Sequence, residues 1–215
     1  MDQSAMYKLS YGLFVATARE GDKMNGCIVN TAVQVASNPN CISVAINKMN
    51  FTHDMVMRTG ILNISVLSEK ADFAIFKHFG FQSGKDVNKF ADGGFVVAYK
   101  VAENGVPVIV AGTNAYFSLK VKETVDLGSH TLFITEPTDM QVISDVPSCT
   151  YAYYQKHIKE KNNAGAGNAA KAEVPEGQHV YRCKVCGYEY VGELLPEDFI
   201  CPTCKHGAED FEVVK

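Results

Sequence analysis

The sequence predicts a mostly β fold with minor α content, followed by a small second module. Two observations predict it. Upstream of residue 161, runs rich in Val, Ile, Phe and Tyr alternate with turn signals such as EGDK and ENGVP, the pattern of short strands joined by turns. Downstream, four of the seven cysteines crowd into the last 33 residues as two CxxC pairs, an arrangement that points to metal more than to a disulfide framework.

The strand-like runs are Gly12–Thr17, Cys41–Asn47, Ile61–Leu67, Phe95–Lys100, Tyr116–Lys122 and Thr131–Thr135. Two segments, Thr52–Arg58 and Ala71–Phe79, space their apolar residues by three to four and read as helices. A third helical stretch, Thr150–Lys159, is basic at its end. The following NNAGAGNAAKAEVPEGQ has no aliphatic side chain larger than Val and cannot bury an apolar face. The expected organisation is therefore a large β domain over 1–161, a linker over 162–178 and a small domain over 179–215.

Composition narrows the function classes. With 47% hydrophobic and 20% charged residues in 215, the chain reads as an ordinary soluble globular protein. No apolar run approaches the roughly 20 residues of a membrane span, and the start MDQSAMYKLSYGL has no basic head, apolar core and cleavage site. A cytoplasmic location is expected, without membrane contact. A net charge of −4 leaves no basic footprint for nucleic acid. The charge is uneven, since 179–215 carries 4 basic and 7 acidic side chains, and an acidic face is expected for partner docking.

The tail reads YRCKVCGYEYVGELLPEDFICPTCKHGAEDF, with ligand spacing C-x2-C-x14-C-x2-C. Each CxxC turn lets two sulfurs converge on one ion, so Cys183, Cys186, Cys201 and Cys204 form a tetrahedral S4 donor set. Spacing alone leaves iron and a structural zinc ribbon both open. The flanking residues Tyr181, Gly187, Tyr188, Tyr190, Leu195–Phe199, Pro202 and Phe211 resemble those that form the small aromatic core of rubredoxins. That resemblance implies one iron cycling between Fe3+ and Fe2+. The tail departs from the rubredoxin pattern in a shortened Cys186–Cys201 segment, Phe199 in place of Trp, and Lys205 in place of a glycine after the second knuckle. A cation at Lys205 is expected to favour the reduced, more negative site.

In the large domain, YGLFVATAREGDKMNGCIVNTAVQV gathers small polar residues at strand ends, which could hold a phosphate or simply be turn polarity. The ordered set YGLxVxTxxxGDKxNGxxVNTxxQV, NKxNxTHDMV, FGFQSGKDVNKF and GSHTLFI is similar to the flavin reductase-like FMN-binding split-barrel family, over about residues 3–156. The resemblance implies a split β-barrel that is a homodimer, with FMN near the subunit interface. It implies that Val29, Asn30 and Thr31 lie along the isoalloxazine ring and that Asn47, Lys48, Asn50 and Thr52 lie near the ribityl phosphate. Lys89 and His130 are implied as further contacts to the flavin or its phosphate, with His130 the catalytic residue, a hydrogen-bond donor that tunes the flavin.

Each of these has a structural reading as well. Thr52 stands where it could cap the following helix, and Lys48 and Lys89 could be solvated surface charges. His130 follows Ser129 where the family often has Asp. Tyr151 or Tyr153 is the aromatic expected over the flavin. Cys27, Cys41 and Cys149 are far apart and show no motif, and Cys27, within the flavin turn, reads as a buried small hydrophobe. No G-x-G-x-x-G follows a strand, so NADH or NADPH would have no Rossmann domain; the family's nicotinamide stacks on the flavin instead.

Together the two modules imply a converter of two-electron to one-electron transfer. Their order resembles the high-molecular-weight rubredoxins, which implies NAD(P)H as donor, FMN and iron as carriers, and a flavodiiron protein or other terminal oxidoreductase as acceptor. Two alternatives stay open. The barrel could be a flavin or ferric-chelate reductase with the tail as an electron store, or the tail could be a zinc ribbon for protein binding.

Overall fold

Seven antiparallel strands form the main sheet, in the order β2-β1-β5-β8-β9-β4-β3. The protein, a computed structural model, is described for residues 5, 8–91, 98–159, 177–183, 188–201 and 207–214. It divides into two units, Met1–Lys159 and Glu160–Lys215. The strands of the first unit are β1 Phe14–Glu20, β2 Lys23–Val29, β3 Ala32–Ser37, β4 Asn40–Asn47, β5 Ile61–Leu67, β6 Tyr99–Val101, β7 Pro107–Ile109, β8 Thr113–Asp126 and β9 His130–Val142. Helix α1 covers Phe51–Thr59 and α2 covers Phe73–Gly80. A short α3, Tyr151–Tyr153, continues as a π-helical turn over Tyr154–Lys159. The mostly β reading with minor helix holds.

Strand alternation explains how one sheet supports two apolar cores. Successive residues of a strand point to opposite faces. Along β1, Val15 enters one core with Leu13, Leu67 and the α2 residues Phe73, Phe76 and Phe79. Its neighbours Ala16 and Ala18 enter the other, with Val44, Ile46, Met55 and Phe133. α1 is tied to the second core by Met55 and Val56, and it ends at Gly60, whose left-handed φ of 67° lets its N–H reach Val56 O. α2 begins at Asp72, whose carboxylate accepts from the Ala74 N–H at 2.7 Å.

Two features exceed the sequence reading. β8 and β9 run well past Tyr116–Lys122 and Thr131–Thr135: the exposed end of β8 pairs with the partly buried start of β9, and the exposed end of β9 with Ala115–Leu119 of β8, so the ladder holds both extensions without a core of their own. β3 is new: its Val33 and Val35 are exposed, so AVQVAS has no buried face to betray it as a strand. Of the expected strand Phe95–Lys100, residues 95–97 lie outside the described residues and the ladder begins at Tyr99.

The second unit holds a three-stranded antiparallel sheet, β11-β10-β12, from β10 His179–Cys183, β11 Glu189–Gly192 and β12 Phe211–Val213. Most of the linker, and Cys186, Gly187, Pro202, Cys204 and Lys205, lie outside the described residues. Among the described residues no helix is long and apolar enough to cross a membrane.

Candidate functional site

The polar residues of the first unit converge where β4 ends, β9 begins and α1 starts. Asn47, last in β4, is the register partner of His130, first in β9. The next residue extends that junction, with the Lys48 N–H donating to Ser129 O at 3.0 Å. Asn47 Oδ1 then accepts from the Met49 N–H at 2.9 Å, and Asn47 O from the Asn50 N–H at 3.0 Å. This turn delivers Asn50 to the N-cap of α1, where its side chain makes no capping bond. Asn47, Lys48, Asn50 and His130 thus share one rim. An uncapped helix start with two carboxamides and a lysine is chemically suited to a phosphate.

The rim carries its own counter-ion. Lys48 Nζ lies 2.6 Å from Asp126 Oδ1 in the β8–β9 turn. The hydrogen bond from Lys48, then that from the Gly128 N–H, holds the Asp126 carboxyl below its usual range. His130 is half-buried, with Nδ1 2.9 Å from Ser129 Oγ. Burial first, and the charge of His53 second, hold its imidazole below the ordinary range.

Val29, Asn30 and Thr31 form the bend between β2 and β3. Thr31 Oγ1 donates to Ala45 O at 2.9 Å, fastening the bend to β4. The Val29 side chain belongs to the second core, so only its backbone could line a ligand. Beside this bend lies a cavity of about 350 Å³, lined by apolar residues that include Phe14, Ala32, Ile42, Ile64, Phe117 and Met140. None of the sequence-selected side chains lines it.

Two expectations are corrected. Thr52 does not cap α1: it is the second residue of the helix and buried, and Oγ1 accepts from Asn25 Nδ2 at 3.0 Å. Nor is Lys89 a surface charge. It is 6% exposed, and Nζ donates to Gly26 O at 2.8 Å and Phe79 O at 3.0 Å. Burial lowers its pKa to about 8, with a smaller opposing effect from the Cys27 thiol. Lys89 therefore joins Gly26, Cys27 and the end of α2. Cys27 and Cys149 are buried and Cys41 is partly so, and Tyr151 and Tyr153 pack on the α2 core.

Sequence reasoning missed His53. It is 7% exposed, with Nδ1 3.0 Å from Asp54 Oδ1 and Nε2 2.9 Å from Thr131 Oγ1. The signal was present in the His-Asp pair at the start of a helix whose polar residues were otherwise read as ligand contacts.

In the second unit, Cys183 closes β10 and Cys201 follows the LPEDF segment; they are 1% and 0% exposed. Two buried thiols from opposite knuckles suit a soft metal ion. Around them the rings run in series, Tyr190 to Phe199 at 4.8 Å and Phe199 to Phe211 at 5.3 Å between centroids. Phe211 is also the register partner of Cys183.

Residues 6–161 match the flavin reductase-like domain, and residues 181–212 match the rubredoxin-like domain of rubrerythrin. The chain is 34% identical over 233 aligned positions, 100% of each chain, to a high molecular weight rubredoxin of Moorella thermoacetica. It is 38% identical over 161 positions to a ferric-chelate reductase (NAD(P)H) of Archaeoglobus fulgidus, covering 75% of this chain and 92% of that one. An NADH:FAD oxidoreductase of Streptomyces globisporus C-1027 shares the barrel fold with a TM-score of 0.60 at 20% identity, over 69% of this chain and 85% of that one. The chain therefore belongs to the flavin reductase-like family and, through its fused rubredoxin-like domain, to the high molecular weight rubredoxins.

Proposed function

We propose that this chain is an NAD(P)H-dependent electron-transfer protein that turns hydride equivalents into single electrons for a separate terminal oxidoreductase. The observation that carries the reading is the fusion itself: a flavin reductase-like domain and a rubredoxin-like domain in one chain, over the full length of a high molecular weight rubredoxin. FMN accepts two electrons as hydride and can release them one at a time, and a tetrathiolate iron carries one.

The chain's own residues supply binding, orientation and proton control. Asn47, Lys48, Asn50 and the start of α1 bind the FMN phosphate, with Lys48 exchanging its Asp126 partner for it. The Asn30–Thr31 bend, fastened to Ala45, lies along the ring. His130 has Nδ1 engaged by Ser129, which leaves Nε2 to face the flavin edge. Thr52 and Lys89 act from behind, through Asn25 and Gly26. Cys183, Cys186, Cys201 and Cys204 hold the iron, and the acidic tail faces a flavodiiron protein that reduces O2 or NO. Val33, Val35, Met140 and Val142 are exposed on β3 and β9, an apolar face that supports a homodimer.

Ferric-chelate reduction is a second reading, favoured by the 38% identity to the Archaeoglobus ferric-chelate reductase over 75% of this chain. The Cys201→Ser variant separates the two. Loss of iron, with NADH still bleaching the flavin but electron delivery to a flavodiiron acceptor abolished, supports the first reading. Full turnover of the variant with ferric chelate and no wild-type activity towards the flavodiiron acceptor would favour the second. Metal analysis that returns zinc in protein grown with ample iron would contradict the iron assignment.

A further inference from the structure

One buried titratable side chain beside the rim has no part in the scheme above. His53 lies in the first turn of α1, between Asp54 and Thr131. Neighbouring residues of a helix do not normally face each other, yet Asp54 Oδ1 lies 3.0 Å from the His53 ring. A carboxylate only accepts, so the Nδ1 nitrogen carries the proton. In the neutral ring, Nε2 then accepts from the Thr131 hydroxyl at 2.9 Å. Phe133 covers the ring edge-on, with centroids 5.8 Å apart.

Thr131 is buried and directly follows His130, whose backbone pairs with Asn47. The chain of bonds from Asp54 through His53 thus ends one residue from His130. The other charged groups here are Lys48 and Asp126, paired with each other at 2.6 Å across the turn. Burial first, and charge on the His53 ring second, oppose charge on the His130 ring.

We propose that His53 is a positioning residue for His130: the Asp54–His53–Thr131 chain fixes the start of β9 and keeps the His130 imidazole neutral and oriented towards the rim. Its purpose rests on the rim being the flavin site; the hydrogen-bond chain itself does not. A neutral His130 offers the ligand a directed hydrogen bond instead of a second cation next to Lys48.

Ring nitrogen and proton NMR of the full chain without flavin tests this. The wild type is expected to show His53 as the Nδ1–H tautomer. In His53→Gln, the His130 titration midpoint is expected to move up towards the ordinary imidazole value of about 6.5. An Nε2–H tautomer in the wild type, or an unmoved His130 midpoint in the variant, overturns the proposal. Asp54 is 39% exposed in its side chain, so Asp54→Asn retains both the fold and the His53 ring. It is expected to mix the two His53 tautomers, and an unchanged Nδ1–H tautomer there also overturns it. These readouts need no cofactor. A wild type that failed to bind FMN would sink the functional reading and leave the ring measurements standing.

Discussion

Lys89 shows at the scale of one residue how far a polar side chain can stray from its expected place. Nothing in FQSGKDVNKF marks this lysine as internal, because the signal is tertiary: two carbonyls, from β2 and from the end of α2, reach it only once both elements have packed. Its folded pKa of about 8 lies below the unfolded 10.5. The unfolded chain therefore binds more protons between those values, and the Lys89 contribution to stability rises with pH through that window. Below about pH 8 both states are protonated and the burial cost is complete, on the order of 3 kcal/mol from the shift. Urea melts at pH 8 and pH 10.5 should show wild-type stability rising relative to Lys89→Met. Parallel pH dependence in the two proteins would contradict the buried charge. Tyr116 and Cys149, raised to about 12 and about 11 by burial, push the other way and cancel in the comparison.

The elements that hold the site were legible to different depths. α1 and β5 follow the predicted limits closely, since Met55, Val56 and the alternating Ile61–Leu67 face a core and so leave a periodic trace. β3 and the outer parts of β8 and β9 left none, because their exposed side chains are free to be polar or apolar. The same logic governs the rim. Asn47, Asn50 and His130 converge through backbone pairing and a turn, and their grouping followed from motif resemblance, whereas the His53 bonds needed coordinates. The start of α1 makes a sharp test. Asn50→Asp keeps a good N-cap residue and adds a charge favourable to the helix dipole, so thermal stability should hold or rise by up to about 1 kcal/mol. The same charge should repel a phosphate and weaken FMN binding at least about tenfold, roughly 1.4 kcal/mol, while riboflavin binding is unaffected. Unchanged FMN affinity by fluorescence titration would show that Asn50 serves the helix alone.

At the scale of the whole molecule, the two units answer to different physics. The first is large enough for two apolar cores on one sheet. The second relies on a short aromatic series and on cysteines from two knuckles, which suits a fold completed by its metal. Both units were readable because their chemistry is written in spacing: two CxxC pairs in one, an ordered series of turn motifs in the other. In the proposed function the two are joined by the direction of electron flow, and the central claim is that flavin reduction precedes iron reduction. Anaerobic stopped-flow mixing of the FMN- and iron-loaded protein with NADH, followed at flavin and ferric wavelengths together, tests it most directly. The account predicts that flavin bleaching comes first and ferric colour is lost after it, at a rate abolished by removing FMN. Loss of ferric colour at an unchanged rate without FMN would contradict it.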